Sequence, residues 1–103
     1  MSTEPGLDRH DWETQYATLE IELRDDPGGA LPDLADLVER MLRERGLPVD
    51  EQENVDELLS EYRSARELSD AAERGEASHG DVAEAINSLR AVYDSVMALY
   101  DSP

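Results

Sequence analysis

The side chains able to do chemistry in this 103-residue chain are 26 acids, nine arginines and two histidines; cysteine and lysine are absent. Without cysteine there are no disulfides, thiolate metal sites, iron–sulfur clusters or thiol nucleophiles. The nearest approach to a calcium loop is at 50–61, where Asp50, Gln52, Asn54 and Glu61 fall at loop positions 1, 3, 5 and 12. The sharp turn of such a loop needs glycine at position 6, and this chain has Val55 there, so calcium binding is not expected. Glu76-x-x-His79 has the spacing of a di-iron helical centre, but that chemistry needs a second copy and two further inward glutamates. His79 reads instead as a turn or cap residue, and nothing ties it to His10. Ser88, in Asn87-Ser88-Leu89, could carry a prosthetic group only from a helix start, and it falls inside an apolar helical repeat. No glycine-rich phosphate loop, nucleophile elbow or basic-aromatic strip is present. No catalytic, cofactor-binding or metal-ligating residue is assigned, and the expectation is a protein that is not an enzyme.

The acids dominate the surface. A net charge of −17 and an isoelectric point near 4.1 make the summed field repel phosphate. Direct contact with nucleic acid or an anionic membrane is therefore not expected. The opening MSTEPGLDRHDW lacks the basic and apolar regions of a secretion signal. No apolar run nears the roughly 20 residues of a membrane span, so a cytoplasmic location is expected. The absence of lysine and phenylalanine beside eleven alanines and nine arginines also fits coding bias or salt adaptation.

The elements that would carry these charges are helical. Residues 1–7 read as a polar tail, 8–101 as one domain and 102–103 as a short end. Trp12, Tyr16, Leu19 and Leu23 recur on one face of a first helix capped by Asp8, although 19–23 also alternates like a strand. Asp25-Asp26-Pro27-Gly28-Gly29 ends it. A second helix is predicted from Leu31, with Pro32 in its first turn and Leu34, Leu37, Val38, Met41 and Leu42 on its apolar face. Gly46 fits the left-handed position beyond it, Leu47 folds back on Leu42, and Pro48 stops continuation. Asp50 with Glu53 and Asn54 with Glu57 compete to cap a third helix, which Gly75 ends. A fourth, from about Asp81 to Tyr100, carries the heptad seam Val82, Ile86, Leu89, Tyr93, Val96 and Tyr100. These elements predict an all-α fold, a small antiparallel bundle of about four helices with short Gly/Pro connections. The first helix either joins the bundle or lies across the other three.

Charge and apolarity divide unequally among these elements. Residues 8–26 and 50–76 carry −5 and −7, against −1 for 31–46 and −3 for 80–103. Pairs four apart, Arg66–Asp70 and Asp70–Arg74, relieve one end of the third helix. Glu53, Glu57 and Glu61 form an unrelieved row at its other end and are the candidate binding residues for a basic protein partner. Leu89, Tyr93, Val96 and Tyr100 are the candidate interface of a homodimer, since so apolar a helix is either central in a bundle or half of an oligomer. The functional expectation is protein–protein interaction with a basic regulatory partner. The alternatives are a structural homodimer with no separate ligand, and a DNA mimic whose carboxylate rows on the first and third helices occupy a nucleic-acid-binding protein.

Overall fold

The computed structural model describes residues 9–51 and 56–101, with side chains to Leu99. Within them the chain forms four α-helices and no strand: α1 (Arg9–Asp25), α2 (Pro27–Glu44), α3 (Glu57–Glu73) and α4 (His79–Asp101). The all-α expectation holds, and 19–23 is helical.

α2 is the hub. It packs against each of the other three helices, and α3 also packs along α4. The reason lies in its sequence: Ala30, Leu31, Leu34, Ala35, Leu37, Val38, Met41 and Leu42 are all buried, a stripe wide enough to serve three neighbours. α1 has much less to bury. Only Trp12 and Leu23 are fully covered, with Tyr16 and Leu19 partly so, and it rests on α2 as an outer layer. α1 and α3 therefore flank α2 and do not run along each other, so their acids do not merge into one face.

The helix ends show which local rules held. Gly46 has φ +80, Gly46 N–H donates to Arg43 C=O at 2.9 Å, and Leu47 N–H donates to Leu42 C=O at 2.9 Å. This is the predicted left-handed termination. Gly75, at φ +74, ends α3 in the same way, with Gly75 N–H on Ala72 C=O and Glu76 N–H on Ala71 C=O.

The starts differ from expectation. α2 begins at Pro27, four residues before Leu31, because Asp26 caps it by accepting from Gly29 N–H at 3.2 Å. Proline suits the first helical position, and a Cβ at Gly29 would collide with the capping carboxylate. Pro32 then lies inside the helix, where it withholds a hydrogen bond from Gly28 C=O; Gly28 is exposed, so water can replace it. α3 starts behind Asp56, which accepts from Leu58 N–H at 2.8 Å, and not behind Asp50; Asn54, the other expected cap, lies outside the described residues. Asp50 instead holds both Nη atoms of Arg43, at 3.0 and 2.9 Å. α4 starts at His79 with a reciprocal cap: Ser78 Oγ accepts from Asp81 N–H, and Asp81 Oδ2 accepts from Ser78 N–H.

The α4 seam is consumed by the chain's own core. Leu89, Tyr93 and Val96 are buried among residues of the same chain, as are Val82, Ala85, Ile86 and Val92. Leu89, Tyr93 and Val96, three of the four candidate interface residues, are thus packed within their own chain. Tyr100 lies in α4, but its side chain is outside the described residues. A polar group is also enclosed: the Ser69 hydroxyl on α3 is fully buried, without a hydrogen-bond partner among the described residues.

Candidate functional site

Ion pairs fix how the helices present their charged faces. On the α2–α3 side, Glu39 is the centre. Its Oε1 accepts from Arg66 Nη2 at 2.7 Å and from the Tyr62 hydroxyl at 2.9 Å, while Oε2 accepts from Arg43 at 2.8 Å. Arg66 also reaches Asp36 at 3.0 Å and stacks over the Tyr62 ring. The pairs expected along α3 are thus replaced by contacts across to α2, and Arg74 joins Glu76 instead. Burial acts to raise the Glu39 pKa, but hydrogen bonds from Arg43 and Tyr62 and the charge of Arg66 outweigh it, leaving it below the ordinary value of 4.5.

On the α1–α4 side, Arg90 grips Glu20 with two hydrogen bonds, at 2.9 and 2.7 Å. The Tyr16 and Tyr93 rings stack 3.8 Å apart, 8° from parallel. The bonds from Arg90 hold the Glu20 carboxyl below its ordinary range, and burial with the nearby Glu20 charge pushes the Tyr16 hydroxyl up. Arg40 of α2 lies 5.9 Å over the Trp12 ring and donates to Gln15, closing the α1–α2 contact.

These contacts leave two surfaces of opposite character on either side of α1. The first is a shallow groove between α1 and α2, about 480 Å³, walled by Glu22, Asp33 and Asp36, with Arg40 at one end. Through Glu22 it continues into a hollow of about 270 Å³ that adds Asp25 and Asp26. Asp36 is engaged by Arg66, whereas Glu22, Asp25 and Asp33 make no ion pair among the described residues. The second is a cleft of about 630 Å³ where the end of α1 meets the starts of α2 and α4. Leu23, Val82 and Ile86 line it, with Arg24, Arg90, His79, Asn87 and Asp26 as its polar groups. Neither surface was visible as a motif, because each is assembled from helices that meet only in the fold. The only trace of the second is that Arg90 is the single arginine of the otherwise acidic segment 80–103.

The sequence-predicted residues distribute unevenly over this framework. Glu57 and Glu61 are both exposed on the first turns of α3 and make no ion pair among the described residues. Glu53, the third member of that row, lies outside the described residues. α1 and α3 do not pack along each other. Among the described residues, no group of three or more His, Asp or Glu is placed to hold a metal ion, and no helix is long and apolar enough to cross a membrane. No family model, curated protein or solved structure matches this chain.

Proposed function

We propose that the chain acts by binding a basic protein partner, without catalysis of its own, and that the partner's arginine- or lysine-rich segment docks along the α1–α2 groove. The observation that carries this reading is the trio Glu22, Asp25 and Asp33, three carboxylates along one furrow with no ion pair among the described residues. Five of the nine arginines are engaged elsewhere, Arg9, Arg43, Arg66, Arg74 and Arg90 each gripping a carboxylate of this chain. A cationic segment laid in the groove would supply the missing counter-charge and could share its apolar floor at Leu19 and Ala30. Such binding gains from long-range steering and weakens with salt. The exposed Glu57 and Glu61 then act as an outlying acidic patch that raises the encounter rate and does not seat the partner.

The test is calorimetric titration with an arginine-rich peptide at about 20 mM and about 150 mM salt, where screening lengths differ roughly threefold. The variant E22Q/D25N/D33N is expected to lose about tenfold in affinity, near 1.4 kcal/mol, while E57Q/E61Q changes it by less than about threefold. Equal losses in the two variants would mean that only net charge is sensed and that the groove is not a site.

A further inference from the structure

We propose that the cleft between the end of α1 and the starts of α2 and α4 binds a small organic anion with an apolar body, of the carboxylate or sulfonate class. Its volume, about 630 Å³, lies within the range of roughly 300–1,000 Å³ common to small-molecule sites. Its floor is apolar, formed by Leu23, Val82 and Ile86, each nearly covered by the rest of the chain. Its charged groups run against the composition of the molecule. The chain as a whole has almost three acids for every arginine, yet Arg24 and Arg90 outnumber Asp26 in the lining.

Arg24 is the distinctive member. Among the described residues it makes no hydrogen bond and no ion pair, in a protein whose other arginines are engaged by carboxylates, a side-chain amide, a backbone carbonyl or other contacts. A guanidinium whose N–H groups hold no hydrogen-bond acceptor among the described residues, and whose charge reaches Glu20 only at longer range, suits a ligand with one anionic head and a hydrophobic body when it borders an apolar floor. Arg90 is already held by Glu20, so its role is to fix the wall rather than to supply the main charge. The first turns of α2 and α4 contribute Gly28 and His79 to the rim, adding partial positive charge at two helix starts. Apart from Asp26, which borders both, the cleft and the acidic groove are lined by different residues, so the failure of either leaves the other intact.

The probe is anilinonaphthalene sulfonate, an apolar monoanion, compared with the uncharged N-phenylnaphthylamine, both titrated by calorimetry into the full chain. The expected result is one sulfonate site whose affinity falls about tenfold in Arg24→Gln and is unchanged in Arg74→Gln, an exposed arginine outside the cleft. Ala83→Trp, which fills the cleft from its exposed rim, is expected to abolish binding of both dyes while circular dichroism stays helical. Three results would overturn the proposal. They are sulfonate binding that survives Ala83→Trp, equal losses in the Arg24 and Arg74 variants, and no binding to the unmodified chain at millimolar probe. A neutral dye bound as tightly as the sulfonate, with no dependence on Arg24, would leave an apolar cleft and also defeat the assignment of an anion.

Discussion

Glu22 and Arg24 stand two residues apart on α1, about 200° around its axis, and face opposite surfaces. Between them, Leu23 is buried and pins the helix down. On the Glu22 side, the carboxylates of α1 meet those of α2, and Glu22, Asp25 and Asp33 make no ion pair among the described residues. On the Arg24 side, the same helix meets the start of α4, where an apolar floor carries a cationic rim. The difference teaches that net charge is a poor guide to local recognition. A chain of −17 can hold a cation-lined cleft if its own carboxylates are tied up nearby, as Glu20 is by Arg90.

The largest expected perturbation removes the wall that both surfaces share. Trp12 is almost completely buried and anchors α1 on α2, so Trp12→Ala should cost about 3–5 kcal/mol in urea unfolding. Both peptide and dye binding should then weaken together; retention of either would show that the surface does not depend on α1. A smaller and more discriminating change reverses single charges. Glu22→Arg should reduce peptide affinity about tenfold without touching the dye, and Arg24→Glu should do the converse. Each should alter stability by no more than about 0.5 kcal/mol, since both positions are exposed.

Acid should test the two ion-pair clusters. Glu20 and Glu39 both titrate below 4.5 in the folded chain, so their contribution is complete above that value and is lost as the pH falls through their lowered pKa values. The contribution is about 1 kcal/mol or less for each, because Arg90 and Arg43 are well exposed and screened. The double variant E20Q/E39Q should therefore show a shallower loss of stability between about pH 5 and pH 3 than the unmodified chain. An unchanged slope would mean that neither pair contributes. The smallest effect belongs to α3: Ser69→Ala removes a buried hydroxyl without a partner and should raise stability by about 0.5–1 kcal/mol. A loss in the same urea assay would show that the hydroxyl does find a partner in solution.

What was legible in the sequence was whatever a few neighbouring residues decide. Gly46, Leu47 and Pro48 specify the end of α2 locally, and the structure forms that end as read. Periodicity likewise placed Leu34, Leu37, Val38, Met41 and Leu42 in the core. The misplaced starts came from residues with two local options and a distant arbiter. Asp50 could cap a helix, but Arg43 takes its carboxylate, which leaves Asp56 to do so. Arg66 could pair with Asp70 one turn on, but packing of α3 on α2 offers it Glu39 and Asp36 at hydrogen-bond distance. The candidate surfaces were still less legible, because each needs three-dimensional neighbours. Gly28, Arg24 and Val82 share a cleft although no spacing rule connects them.

The buried anchor of α1 has one more consequence. Trp12 is the only tryptophan in the chain, sealed from water and lying beneath the guanidinium of Arg40. The protein therefore carries a single intrinsic fluorophore on the helix that separates its two surfaces. If the outer helix lifts from α2 while the remaining three stay folded, emission should shift to the red before ellipticity is lost. Ligand-linked movements of α1 can thus be followed optically without attaching a label.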